Sequence, residues 1–426
     1  MKVLFLLFVA AATAVAQQDA AADLGSSRRI TAASEFFDHD YVNVYAFANG
    51  VWDSRVPLLS GNSSFSGGLG WEAGGGLTLT HSFKGGSVTL NYRGSYRDYQ
   101  SAGFTGGDQQ SLAFAFDKRL SRRWGIGGSV GAGIVSYGAS TFSAGAVGSD
   151  IATNPFSTQS RYVNSGVTLS FQQSRRLSYV FSGEYLLSSY NYVGALNSHG
   201  YGGGASVLYR VTARTTMGLN YNHTNFAYSH NAGNSAIDTA GLSLSHQFNG
   251  HWQLDLSGGV SRVHSKGVIQ IPVSLILDGQ TVTGYYNGAY NRTLYSPSFQ
   301  GTLSRNFRRS ILSIGGGQSV LGGNGIYLTS RNQTASVLYS YSTRRQNFGV
   351  GATYSRLSSV ANSVSQTYAT DGASASYGVN LVRYVSANFR YDFLHYDGLF
   401  VFSGLSESRV SFGLSLSSKS VPLTLF

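Results

Sequence analysis

Four Arg-Arg pairs at predicted short turns are the most regular ionic feature of the chain: Arg122-Arg123, Arg175-Arg176, Arg308-Arg309 and Arg344-Arg345. A guanidinium offers a planar fork of donors that matches phosphate or carboxylate. Such pairs at turns suit anionic headgroups or the acidic surface of a partner protein. A second set of charges stands singly inside apolar segments: Glu72, Arg93, Arg97, Asp117, Glu184, Arg210, Asp255, Arg390 and Asp392. Basic and acidic members nearly balance, and Arg390 and Asp392 are close enough in sequence to pair. The histidines are scattered. His223 with His230, and His246 with His251, lack the Cys or clustered carboxylates that a metal site needs. Serine is too common for a Ser–His–acid triad to be read from it. Gly202 to Gly204 and Gly315 to Gly317 lack the strand-then-helix setting of a phosphate loop. No catalytic, metal or cofactor-binding constellation is read, and no enzymatic activity is expected.

The elements that position these charges follow from a period of two. Trp124, Ile126, Val130, Ala132 and Ile134 alternate with Gly125, Gly127, Ser129, Gly131 and Gly133. That is a strand with one apolar face and one small, polar face. Val88, Leu90, Tyr92 and Tyr96 oppose Thr89, Asn91, Arg93 and Ser95 in the same way. Trp252, Leu254 and Leu256 oppose Gln253, Asp255 and Ser257, and Val410, Phe412, Leu414 and Leu416 oppose Ser411, Gly413, Ser415 and Ser417. A soluble β-sandwich also alternates, but its strands average about 5–6 residues, whereas membrane-spanning strands need about 9–11. These segments are of the longer kind.

The connections alternate in length. Short turns fall near Lys84-Gly85, Leu120 to Arg122, Ser174 to Arg176, Thr212-Ala213, Asn249-Gly250, Arg308-Arg309, Arg344-Arg345 and Tyr384-Val385. Longer loops fall near 53–65, 99–107, 138–159, 191–199, 228–233, 265–291, 323–331, 358–370 and 397–405. Short turns at one end and long loops at the other are the layout of an outer-membrane barrel. The pattern predicts an all-β, transmembrane antiparallel barrel of eighteen strands, with both termini periplasmic. Parity supports the first strand, Tyr41 to Trp52. Sixteen strands is the alternative, because the glycine-rich segments near Tyr201 and Gly315 are weak strand formers.

A bilayer core supplies no water to unpaired backbone groups, so strands cross it only in a closed barrel. The apolar face then meets lipid and the polar face lines a lumen. The nine single charges are predicted to line it, and without a ring of one sign they predict weak ion selectivity. Trp71, Phe83, Tyr99, Trp124, Phe171, Tyr209, Phe226, Phe248, Trp252 and Phe307 are expected in interfacial girdles. The Arg pairs are expected to touch headgroups at the periplasmic turns; a docking surface for an acidic periplasmic partner is the other reading. The longest loop, 265–291, holds Asp278-Gly279 between two β-rich runs, which reads as a hairpin. Folding inward as a constriction and standing outside are both open to it.

At the N-terminus, Lys2, the apolar run Val3 to Ala12 and Ala14-Val15-Ala16 make a secretory signal peptide over residues 1–16. The run is shorter than the roughly 20 residues of a spanning helix. Residues 17–40 lack the alternation and are read as a periplasmic tail, leaving 41–426 for the barrel. Charged residues are 12%, about half the usual share. The 13% aromatics argue against disorder, which is poor in them. An exported chain without Cys is not a disulfide-stapled fold. The formal charge of +11 would suit nucleic acid, but export argues against that partner, and the Arg-rich turns account for the excess.

The signal, the alternation, the loop asymmetry and the terminal Phe426 together resemble porin-like bacterial outer-membrane β-barrel proteins, over roughly 41–426. The resemblance implies residence in the bacterial outer membrane, contact with its lipid and recognition by the barrel-assembly machinery, which reads a C-terminal aromatic. Pro422 resists strand pairing, so that last signal is matched in part. Repeats such as "SRRWGIGGSVGAG" also look like barrels associated with exopolysaccharide export. The expected role is a weakly selective pore for small hydrophilic solutes. A barrel for exopolysaccharide export or surface assembly, and a structural or adhesive surface protein, are the alternatives. Oligomeric state is left open.

Overall fold

A computed structural model describes residues 41–54, 67–100, 106–136, 159–191, 196–229, 232–277, 280–322, 329–360, 367–397, 405–418 and 421–422. The signal peptide, the tail and Phe426 lie outside these residues. The described chain is a succession of strands: β1 (Tyr41–Asp53), β2 (Gly68–Phe83), β3 (Gly86–Tyr99), β4 (Gly107–Arg119), β5 (Trp124–Val135) and β6 (Ser160–Gln172). Then come β7 (Leu177–Tyr190), β8 (Ser198–Arg210), β9 (Thr215–Tyr228), β10 (Gly233–Gln247), β11 (Trp252–Leu277) and β12 (Gln280–Asn306). β13 (Ser310–Gly322), β14 (Thr329–Ser342), β15 (Gln346–Ser359), β16 (Thr367–Val382), β17 (Val385–Asp397) and β18 (Leu405–Ser417) complete the wall. Each strand pairs antiparallel with the next, and β18 pairs with β1, which closes the barrel. A two-residue bridge, β19 (Val421–Pro422), lies against Tyr41 and Val42. The glycine-rich segments are full strands, β8 and β13, so the count is eighteen and not sixteen.

Register partners in an antiparallel pair share a face. Leu244, Leu256 and Gly301 align on one face; Ser245, Asp255 and Thr302 align on the other. The first face is outward, where Leu242, Leu256, Val260 and Phe299 stay exposed. The same exposed apolar surface continues through Trp71, Val130, Phe181, Leu219, Ile314, Val350 and Leu414. So wide an apolar surface marks a membrane-facing belt rather than a watery one. Along β11 the outward positions are apolar or glycine from Trp252 to Val260, and polar from Arg262. Those nine residues rise ~30 Å along the strand, or ~23 Å at a tilt of about 40°, close to the apolar band of such barrels. The layout is that of a barrel of the bacterial outer membrane.

Several of the tight turns owe their shape to a side-chain oxygen at their start. Ser121 Oγ accepts the N–H groups of Arg123 and Trp124, at 3.2 and 3.1 Å. Ser174 Oγ does the same for Arg176 and Leu177, at 3.2 and 3.0 Å, and Asn249 Oδ1 for His251 and Trp252, at 2.9 and 3.0 Å. Thr343 Oγ1 accepts from Arg345 and Gln346 at 3.4 and 3.0 Å. These are the side-chain turns that Ser, Thr and Asn favour. They leave the paired arginines exposed at one rim.

The segment 265–291 is not a loop. β11 and β12 continue through it as one tall hairpin, paired as far as Leu277 and Gln280, which bracket Asp278-Gly279. The flanks pair as a hairpin, the dipeptide itself lying outside the described residues, and the assignment of those flanks to a loop is corrected: their β-rich composition extends the strands.

Candidate functional site

All nine charges singled out in the sequence fall on the inner face by register. On β1, β2 and β3 the inward rows run Asn43–Thr78–Asn91, Tyr45–Gly76–Arg93, Phe47–Gly74–Ser95 and Asn49–Glu72–Arg97. On β17, β18 and β1 they run Arg390–Ser411–Val51 and Asp392–Arg409–Asp53. These rows adjoin, so five of the nine (Glu72, Arg93, Arg97, Arg390 and Asp392) share one stretch of wall. Asp117, Glu184, Arg210 and Asp255 stand apart on β4, β7, β8 and β11. Asp117 accepts from Ser87 Oγ at 2.5 Å, Glu184 from Thr224 Oγ1 at 3.1 Å, and Asp255 from Gln253 Nε2 at 2.8 Å.

The shared stretch, toward the long-loop end, is a buried ionic wall. Arg409 bonds Asp53 through Nε and reaches Glu407 through Nη2 at 3.2 Å. Tyr99 donates to the other oxygen of Asp53. Arg97 Nη2 meets Glu72 at 2.7 Å, and Arg390 Nε meets both oxygens of Asp392 at 2.9 and 2.8 Å. Asp53, Glu407, Arg409 and Asp392 are at most 3% exposed. Charges so buried are tolerated only when paired. Arg93 is set lower, its guanidinium carbon 5.5 Å from the centre of the Phe47 ring. Four arginines (93, 97, 390 and 409) thus face four carboxylates (53, 72, 392 and 407), and the wall carries no net sign.

Sequence reasoning missed Asp53, Tyr99, Glu407 and Arg409. Asp53 sits at the end of β1, where a loop was expected. Glu407 and Arg409 alternate with Ser406 and Ser408, which carry no apolar marker of a face. The signal was parity: counting back by twos from Ser411 reaches both. Tyr99 and Phe226 were expected in the lipid girdle, and this is corrected. Both lie on the inner face and are buried, because each is an end residue whose parity places it inward. Trp71, Trp124, Tyr209, Phe248 and Phe307 are exposed outside or at the turns, and Trp124 packs on Phe171 with ring centres 4.6 Å apart. Arg305 stacks between Trp252 and Phe307, at 4.9 and 4.2 Å, at the rim.

Two further rings line the lumen. Tyr45 and Phe47 lie across Gly76 and Gly74 of the next strand, where an added Cβ would come within 2.5 and 2.8 Å of the rings. Glycine there lets the rings lie flat along the wall instead of projecting into the bore. Among the described residues no three His, Asp or Glu side chains form a metal-binding group. His223 pairs with Asp238 at 2.8 Å, but on the outer face.

No family profile and no curated protein matches the chain. Among solved structures, OccAB3 of Acinetobacter baumannii is similar over 89% of this chain and 99% of its own, with 9% identity and a TM-score of 0.40. OccK2 (OpdF) of Pseudomonas aeruginosa, in complex with glucuronate, is similar over 90% and 100%, with 11% identity and a TM-score of 0.42. The FrpB iron transporter of Neisseria meningitidis, in its apoprotein form, is similar over 85% and 62%, with 10% identity and a TM-score of 0.41. Scores this low single out none of the three, and the architecture rests on the strand pairing itself.

Proposed function

We propose that the protein is an outer-membrane channel for small hydrophilic solutes, with weak ion selectivity. The observation that carries this reading is the two-faced closed wall: apolar outside, and lined inside by Ser, Thr, Asn, Gly and paired charges. A polar lumen inside a lipid-facing shell serves water-soluble cargo. Weak selectivity follows from the ionic wall, in which four arginines face four carboxylates, so no ring of one sign biases entry. Export of a polysaccharide and a purely structural role remain the competing classes. The paired arginines of the short turns are proposed to hold the rim among anionic headgroups, with outer-membrane lipid and the assembly machinery as partners.

Liposome swelling tests the reading. Vesicles carrying the refolded barrel should swell in isotonic solutions of small neutral sugars, and more slowly as the sugar grows. Folded protein that admits none of them would contradict it.

A further inference from the structure

The wall divides near its external end. β11 and β12 stay paired up to Leu277 and Gln280, but β12 and β13 part above Phe299 and Gln318. Pro297 explains the break. It has no N–H to continue the ladder, and Gln318 Nε2 donates to its carbonyl oxygen instead, at 2.8 Å. Beyond this point β13, β14 and β15 remain paired with one another, through Gly322 with Thr329 and Ser330 with Ser359. β15 in turn stays laddered to β16 as far as Ser358 with Thr367, so these strands form a tongue that is free of β12 on one side and hinged to the wall through β16 on the other.

Its contacts give its direction. Thr329 Oγ1 lies 2.6 Å from Ser235 Oγ and 3.2 Å from Ser265 Oγ, and all three residues are sealed from solvent. Val320 and Val360 join a buried cluster with Phe226, Tyr228, Ile237 and Val263. Gly322 sits on the Phe226 ring so closely that a Cβ would collide with it. Ser235, Ser265, Phe226, Ile237 and Val263 belong to the inner face of β9–β11. Val320, Gly322, Thr329 and Val360 belong to the alternate set that, lower down, faces lipid through Ile314, Val337 and Val350. The outward face of the tongue therefore lies on the inward face of the opposite strands. Along the wall, β9 and β13 are four strand spacings apart, ~19 Å; they meet because the tongue has folded into the lumen. Its other face is covered too: Ser330, Asn332 and Leu357 are nearly inaccessible.

We propose that this tongue is the constriction of the channel, and that its docked position sets the size of solute that passes. The inference rests on the channel reading above. The described docking contacts are hydroxyl bonds and apolar packing between side chains, without a backbone ladder to β9–β11. A charge on the docked face should therefore release the tongue while the wall persists.

The test uses the absence of native Cys. Val320→Lys should raise single-channel conductance several-fold and admit larger neutral polymers. In the same background, Ser235→Cys with Thr329→Cys should form a disulfide that returns both readings toward wild type, and a reductant should restore the wide state. A folded Val320→Lys barrel with wild-type conductance and cut-off would overturn the tongue as constriction, as would failure of the cysteine pair to cross-link in the otherwise wild-type barrel. Silence of all forms, wild type included, would overturn the channel reading with it, which separates the two failures.

Discussion

Arg409 is the residue on which the inner wall turns. It neutralises Asp53 and Glu407, all three of them inaccessible. Removing one partner of a buried ion pair leaves an uncompensated charge, at a cost of about 3–5 kcal/mol. Arg409→Ala should lower the unfolding free energy of the refolded barrel by about that much. Arg409→Met together with Asp53→Asn and Glu407→Gln should recover most of it, because it removes the charges along with their partner. Denaturant titration in lipid distinguishes the two; equal loss in both would mean that packing, not charge, is at stake. Leu256 and Asp255 test the faces. Leu256→Arg places a cation in lipid at a cost of roughly 2–4 kcal/mol near mid-bilayer, whereas Asp255→Arg places one in the lumen. Folded yield should fall for the first and hold for the second, and equal tolerance of both would contradict the register.

At the scale of the element, topology is the checkable claim. An impermeant thiol reagent on intact cells should label Gln100→Cys, exposed at the outer end of β3, and should reach Arg308→Cys only after the outer membrane is broken. The reverse order would invert the barrel. Strand identity was legible because alternation and membrane-length strands come from the same physics, a wall between lipid and water. The face of each internal charge was legible for the same reason. What escaped were features that local pattern does not encode. Tyr99 and Phe226 lie at strand ends, where an aromatic suits either an interface or a lumen, and only pairing with Gly70 and Gly200 shows the inward parity. The tongue depends on one Pro in β12 and on partners across the bore, so nothing within β13 or β14 announces it. The Ser, Thr and Asn that open tight turns are common all along the chain, so nothing in the local sequence marks those particular side chains as turn-forming.

At the scale of the whole molecule, charge is sorted by position. Pairs of unlike sign make up the ionic wall of the lumen, while exposed arginines crowd the short-turn rim. An Arg near an anionic surface contributes about 1 kcal/mol. Replacing Arg122, Arg123, Arg175 and Arg176 with Gln should therefore weaken partition of the folded barrel from neutral into anionic vesicles, with swelling rates unchanged. Unaltered partition would leave those arginines to a protein partner instead. The central claim is that the closed wall encloses a conducting, nearly unselective path. Planar-bilayer recording of the purified, folded wild-type protein under a salt gradient measures this in one step. The account predicts discrete openings with a reversal potential near zero; a folded barrel that stays silent, or one with a reversal potential near that of a single ion, would contradict it.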